Sequence, residues 1–269
     1  MQKHNFHTHT RYSDGHDTPR QMIEEAVSRG FTALGFSDHS YAWFESYYSM
    51  SPEGTLRQFR EIRDLAAEYR GIIDVWCGVE LDGESGVPTL DYDFILSSVH
   101  EIVRRGVSRP IDSSEQWQRD LVNDLFGGSF VDFTKVYYEN LTEHVMRNKT
   151  DIVGHIDLPT KYSLCPEDDP RYRDAAREAV REIVKTCPLF ELNTGAIARG
   201  LRTVPYPAPY LLDEIKAAGG SLIINSDCHY RARLTCWFDE AEDYLRAHGF
   251  EKHENQRLND RISGVTLWR

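Results

Sequence analysis

Asn5-Phe6-His7-Thr8-His9-Thr10, with Asp14-Gly15 close behind it, is the stretch on which the reading of this chain turns. On an extended strand the side chains of residues i and i+2 leave from the same face, so His7 and His9 offer two imidazoles side by side. Two neutral imidazoles so placed can share one divalent ion, at about 2.0–2.1 Å from each nitrogen. A lone His-x-His occurs often by chance. Its meaning depends on what other strands deliver to the same place.

Working outward, Thr18-Pro19-Arg20-Gln21 is a helix start: Thr18 suits the N-cap, Pro19 the first helical position, and Gln21 completes a capping box. That helix stops at Gly30. Residues 31–36 read as a buried strand running into Ser37-Asp38-His39. An aromatic stretch follows, with Tyr41, Trp43, Phe44, Tyr47, Tyr48 and Met50. A helix over 51–70 then carries Leu56, Phe59, Ile62 and Leu65 on one face. The third strand, 72–80, ends in Glu80, and the fourth, 92–99, ends at His100.

Residues 101–150 read as a helical insertion: a polar loop, a helical pattern through Trp117, Leu121 and Leu125, a Gly127-Gly128 break, and a second pattern through Val136, Leu141 and Val145. The fifth strand, 151–154, ends at His155. A helix over 170–186 leads to the sixth strand, 189–193, and one over 209–218 to the seventh, 222–225. The seventh runs into Ser226-Asp227-Cys228-His229. A last helix covers 238–248, and the chain after Phe250 reads as a polar tail.

Strand and helix alternate seven times, the pattern of parallel βαβ units. The fold class is therefore α/β, with a closed TIM-type barrel preferred over an open doubly wound sheet. No internal repeat or low-complexity linker divides the chain, so residues 1–269 are expected to form one domain.

The 43 acidic and 31 basic residues give a net charge of −12, a surface that repels long nucleic acid. A small phosphorylated substrate is compatible with that charge, because a metal site can outweigh a distant field locally. No apolar run approaches the roughly 20 residues that span a bilayer. The polar N-terminus is not the pattern expected of a signal peptide, and a cytoplasmic location is the default expectation. Cys77, Cys165, Cys187, Cys228 and Cys236 form no Cys-x-x-Cys pair, which argues against thiolate zinc and a disulfide framework.

His7 and His9, Asp38 and His39, Glu80, His100, His155, and Asp227 and His229 all sit at or just past the C-terminal end of a predicted strand. In a parallel barrel those ends meet on one face, where active sites lie. Six of the eleven histidines fall there, too many for background. With Asp14 added, His7, His9, Asp14, His39, Glu80, His100, His155, Asp227 and His229 are nine candidate ligands. One open zinc site needs about three protein ligands. Nine suit two or three ions sharing a carboxylate, and imidazole with carboxylate suits Zn, Fe, Mn or Co.

His7-Thr8-His9, Ser37-Asp38-His39, Gly78-x-Glu80, His100, Gly154-His155 and Ser226-Asp227-Cys228-His229, in that order over nearly the full chain, resemble the PHP (polymerase and histidinol phosphatase) superfamily. The length and Phe190-Glu191-Leu192-Asn193-Thr194 resemble its monofunctional histidinol-phosphate phosphatases. The resemblance implies a distorted (β/α)7 TIM-like barrel with a trinuclear metal centre of Zn, Fe or Mn at the C-terminal ends of the strands. It implies that His7, His9, Glu80 and Asp227 hold one ion, that Glu80 bridges to a second held by His100 and His155, and that Asp14, His39 and His229 hold the third.

The expected reaction is hydrolysis of L-histidinol phosphate by a metal-bridging hydroxide, with Asp227 or His229 giving the leaving alkoxide its proton. Arg199 and Arg202 after the sixth strand, and Lys161 after the fifth, are the candidate phosphate contacts. Where the family often carries Arg-Lys, this chain has Thr160-Lys161. The aromatics at 41–48 could wall a flat ring, Gly127-Gly128 could hinge a lid, and Glu45, Asp112 and Glu115 remain open as partners for a substrate ammonium. The alternatives are a related phosphoesterase for nucleotides or another small phosphomonoester, a metal-dependent amidohydrolase, and a non-catalytic metal-binding barrel. An amidohydrolase would normally carry a bridging Lys at a strand end, and no strand here ends in Lys.

Overall fold

The computed structural model describes residues 1–43, 47–85 and 89–269. Along the chain, β1 (His4–Asn5) leads to α1 (Pro19–Ser28), β2 (Ala33–Phe36), α2 (Pro52–Glu68), β3 (Asp74–Asp82) and β4 (Phe94–Ser98). A hairpin of β5 (Glu101–Arg104) and β6 (Val107–Pro110) precedes α3 (Glu115–Phe126), α4 (Phe130–Arg147) and β7 (Ile152–Val153). Then come α5 (Pro170–Ile183), β8 (Leu189–Asn193), the single turn α6 (Gly195–Ala198), α7 (Pro209–Ala217) and β9 (Ser221–Asn225). The chain ends with α8 (Phe238–Ala247), β10 (Lys252–Arg257) and β11 (Ser263–Trp268).

Seven strands pair in parallel in the order β1-β2-β3-β4-β7-β8-β9. The sheet curls until its two edges meet at the C-terminal end, where Thr8 and Cys228 form a parallel bridge and His9 N–H donates to Cys228 O at 3.0 Å. Nearer the start of the strands the gap between β1 and β9 is spanned by side chains. Gln2 Nε2 donates to Ile224 O at 2.7 Å, and Phe6 N–H donates to Asn225 Oδ1 at 2.9 Å. The result is a TIM-like barrel of seven parallel strands, as the alternation predicts, with the distortion that the family resemblance implies.

Local sequence sets the helices that wrap it. α1 shows the expected capping box, with Gln21 N–H donating to Thr18 Oγ1 at 3.2 Å and Thr18 N–H donating to Gln21 Oε1 at 2.9 Å. Ser51, Ser114 and Ser129 cap α2, α3 and α4 in the same way, each accepting from an N–H of the first turn. The inward faces of these helices pack against the strands in one large apolar layer, including Ile62, Leu141, Val180 and Leu212.

Two segments differ from the sequence reading. The polar loop expected at the start of 101–150 is the β5-β6 hairpin, and α4 is the ordinary crossover helix from β4 to β7, with Tyr137, Tyr138, Leu141 and Val145 buried. Gly127-Gly128, proposed as a hinge, caps α3: Gly127 is left-handed at φ 59° and Gly128 N–H donates to Val122 O at 3.1 Å.

The tail after Phe250 is the larger correction. It forms the β10-β11 hairpin, and Trp268 pairs with Leu222 of β9 in antiparallel register. The alternating Val265 and Leu267, with Ile262, join Phe6, Phe94, Leu96, Ile152 and Ile223 in a separate buried cluster inside the barrel. Thr266 N–H donates to His4 Nε2 at 2.7 Å, and Asn259 Nδ2 reaches Asp93 O at 2.9 Å and Asp151 Oδ1 at 3.0 Å. The hairpin therefore plugs the end of the barrel opposite the histidines. The polar residues of β10 face outward and hid this role.

Inside the barrel, Phe6 and Phe94 meet edge to face at 5.4 Å. Gly78 of β3 makes room for them, since a Cβ there would lie 2.4 Å from the Cε1 and Cζ of Phe94. Phe94 is fully buried and has nowhere to move. Gly78→Ala should lower the unfolding free energy by about 1–3 kcal/mol through overpacking. Urea denaturation checks this. An unchanged midpoint would contradict the packing described.

Candidate metal centre

Strand alternation aims the side chains. His7 and His9 turn into the barrel mouth, while Thr8 between them points sideways and its Oγ1 donates to Gly35 O at 2.8 Å. Glu80 and Asp82 repeat the spacing at the end of β3, and both are buried. His39 pairs with Glu80 through a single parallel bridge. Asp227, past the end of β9, has φ 49°, a left-handed conformation that a non-glycine residue adopts only when its surroundings hold it there. Gly195 leaves the space it needs, because a Cβ at 195 would sit 2.9 Å from the Asp227 carboxylate.

The nine candidate ligands converge. Glu80 Oε2 lies 3.1 Å from His7 Nε2, 3.4 Å from His9 Nε2 and 3.2 Å from His39 Nδ1. Glu80 Oε1 lies 3.4 Å from His100 Nε2 and 3.1 Å from His155 Nε2. Asp227 Oδ1 is 3.2 Å from His9 Nε2 and 3.5 Å from His7 Nε2. Asp14 is 3.1 Å from His229 Nε2, 3.7 Å from His9 Nδ1 and 3.8 Å from His39 Nε2. Four overlapping groups have ligand atoms within 4.8 Å of one another: His7, His9 and Asp227; His7, Glu80 and His155; His39, Glu80 and His100; and His9, Asp14, His39 and His229.

Of these contacts only His7 Nε2 with Glu80 and His229 Nε2 with Asp14, both at 3.1 Å, have hydrogen-bond geometry; the others are close without it. Glu80 Oε1, both ring nitrogens of His9, His39 Nδ1, His155 Nδ1 and Asp14 Oδ1 are buried and have no hydrogen-bond partner among the described residues. Buried polar atoms are normally satisfied, so this concentration of orphans marks a place built for something else. Protonating every imidazole is no remedy. Burial, then the neighbouring His229 and His39, push the His9 pKa down to about 3. Burial also opposes a charge on His7, but Glu191, Glu80 and Asp227 outweigh it and raise its pKa well above the ordinary value. Burial works against ionised Glu80 and is overcome by His7, His39 and His100, which hold its pKa well below the usual range. Neutral imidazole lone pairs aimed at a buried carboxylate, with orphaned atoms between, fit shared divalent cations, and the nitrogen and oxygen donor set suits them.

Three side chains outside the nine candidate ligands hold the site in shape. Glu191 accepts from His7 Nδ1 at 2.8 Å and from His155 N–H at 2.6 Å. Asp82 Oδ2 accepts from His100 Nδ1 and His100 N–H, both at 2.9 Å. Each carboxylate places the proton of its histidine on Nδ1 and turns Nε2 toward Glu80. Asp38 accepts from Thr10 N–H at 2.7 Å, Ser13 Oγ at 2.7 Å and Gln58 Nε2 at 3.1 Å, fixing the loop between His9 and Asp14. Asp82 was detectable as the i+2 companion of Glu80. Asp38 carried no signal beyond its place beside His39.

A cavity of about 290 Å³ opens beside the cluster and is lined by Asp14, His39, His100, His155, Asp227 and His229. Arg199 and Lys161 also line it, as expected. Arg199 Nη2 donates to Asp227 Oδ2 at 2.9 Å, and Lys161 Nζ donates to Asp112 Oδ2 at 2.7 Å. Arg202 does not line it. Its guanidinium is turned to Thr160 and Val204 and stacks 4.6 Å from the Tyr206 ring. Tyr47 and Tyr48 form part of the wall, whereas Tyr41 and Trp43 are exposed and absent from it. Of the candidate ammonium partners, Asp112 lines the cavity, Glu115 pairs with Arg119 on the surface of α3, and Glu45, like Phe44, lies outside the described residues.

A family model described as the PHP domain matches residues 5–195. A probable histidinol-phosphatase of Deinococcus radiodurans is 28% identical over 252 residues, covering 89% of this chain and 91% of its own length. Crystal structures show the same fold. That of a Listeria monocytogenes protein superposes with a TM-score of 0.74 at 18% identity, covering 88% of this chain and 99% of its own. That of histidinol phosphate phosphatase from Lactococcus lactis, complexed with zinc, L-histidinol and phosphate, superposes with 0.70 at 22% identity, covering 93% and 95%. The barrel, the strand-end cluster and the family match agree, and the chain belongs to the PHP-domain family.

Proposed function

We propose that this chain is a metal-dependent phosphomonoesterase that hydrolyses L-histidinol phosphate to L-histidinol and phosphate. The observation that carries the reading is the set of buried imidazoles packed around Glu80, all but His7 outside hydrogen-bond geometry with it, opening on a cavity that bears the cationic side chains of Lys161, Arg199 and Arg233. The zinc, L-histidinol and phosphate held together by the Lactococcus structure support it.

His7, His9, Glu80 and Asp227 would hold one ion, Glu80 with His100 and His155 a second, and Asp14, His39 and His229 a third. His7, His9 and Asp227 form one of the close ligand groups, Asp14, His39 and His229 fall within another, and Glu80 belongs to the groups of both His155 and His100, which supports its being shared. Bound divalent ions would supply charge neutralisation for the phosphate dianion and a water acidified toward neutral pH. The remaining work falls to the chain itself. Arg199, tethered to Asp227, keeps donors directed into the cavity, where a guanidinium can meet phosphate oxygens in a fork. Arg202 no longer belongs in that set. Asp227 or His229, at the junction of cluster and cavity, would hand a proton to the leaving alkoxide.

The direct test is phosphate release from L-histidinol phosphate beside p-nitrophenyl phosphate and AMP, with zinc- or manganese-reconstituted protein. A kcat/KM at least about 100-fold higher for L-histidinol phosphate is expected if polar groups of the site read that substrate. Equal turnover of all three, or a preference for AMP, would overturn the substrate assignment. A second prediction concerns the carboxylates behind the cluster. Asp82→Asn frees the His100 ring, and the metal concentration for half-maximal activity should rise about 10- to 100-fold, with kcat largely recovered at saturating metal. An unchanged metal titration would contradict the positioning role.

A further inference from the structure

One carboxylate on the cavity wall, Asp112, has no task in the reaction above. Asp112 lies in the loop between β6 and α3, and that loop is firmly tied. Lys161 Nζ and the Tyr162 hydroxyl both donate to the Asp112 carbonyl, at 2.9 and 2.6 Å, and Ile111 N–H donates to His100 O at 2.8 Å. The side chain is committed at one oxygen only. Oδ2 accepts from Lys161 at 2.7 Å, and no donor among the described residues reaches Oδ1.

The described carboxylates lining the cavity are Asp14, Asp112 and Asp227. Asp14 and Asp227 face imidazoles of the cluster. Asp112 has no ion-pair contact with any histidine, so its free oxygen is available to something that enters from outside. The chemistry of the substrate says what that is. In an ester whose amine sits on the carbon next to the ester methylene, the ammonium cannot leave the neighbourhood of the phosphate. With the phosphate at the cluster, the ammonium falls on the surrounding wall and needs a carboxylate outside the metal set.

We propose that Asp112 receives the substrate ammonium through Oδ1, while Lys161 on Oδ2 orients the carboxylate. Asp112 is then a specificity residue selecting amino phosphomonoesters. The inference rests on the phosphate-at-the-cluster reading, and the test separates the two. Phosphate release is measured for two matched pairs: L-histidinol phosphate against its analogue lacking the amine, and phosphoethanolamine against ethyl phosphate. The wild type should favour the amine-bearing member by about 10- to 100-fold in kcat/KM, the range for one charged hydrogen bond.

Asp112→Asn, and Asp112→Ser as a second charge-removing variant should the first fold poorly, should bring that ratio close to one, chiefly through KM. A wild type indifferent to the amine would overturn the proposal. So would variants that keep the preference, because a merely structural loop would slow both members of a pair alike. If Asp112 controls the amine preference but L-histidinol phosphate is no better than phosphoethanolamine, the ammonium site stands and the histidinol-phosphate reading falls.

Discussion

The structure depends on a fully buried carboxylate, Glu80, set within reach of five imidazoles. A buried charge is costly unless it is paired, and pairing it with five protonated rings would replace one cost with a larger one. The imidazoles also repel one another when charged, and burial followed by the nearby His229 and His39 depresses His9. Positive charge must therefore enter in a more compact form than imidazolium. A divalent ion meets that need, concentrating charge at a point that several nitrogens and both carboxylate oxygens can face at once.

Everything around the cluster can be read as support for that arrangement. Glu191 and Asp82 lock two rings by their outer nitrogens, and Asp38 braces the loop that brings Asp14 to His229. At the opposite end, the β10-β11 hairpin closes the barrel with apolar side chains, so one mouth is sealed and the other carries the polar groups. Strand direction makes this division possible. All seven parallel strands deliver their C-terminal residues to the same face, and segments distant in the sequence meet there.

That geometry also explains what the sequence made legible. Every ligand candidate but Asp14 stood at or just past the end of an apolar run, so the strand pattern located His7, His9, Glu80, His100 and His155 without any knowledge of the fold. Alternation of strands and helices then placed them on one face. Features set by tertiary contact were less visible. β10, written Lys-His-Glu-Asn-Gln-Arg, looks like a solvated tail because its partner is the end of the chain. Arg202 sits in the right loop for an anion, but the loop turns its guanidinium back onto Tyr206. Asp112 could not be separated from Glu115 by sequence. Only the β5-β6 hairpin, hidden inside an apparent insertion, carries one to the cavity and leaves the other on the surface.

The central claim is that nine side chains form a site for more than one ion. The most direct measurement is the metal content of the reconstituted, gel-filtered protein by elemental analysis, with Glu80→Gln alongside. Two to three divalent ions per chain, falling on loss of the shared carboxylate, is the predicted result. A content of one ion or fewer per wild-type chain, unaltered by Glu80→Gln, would contradict the account.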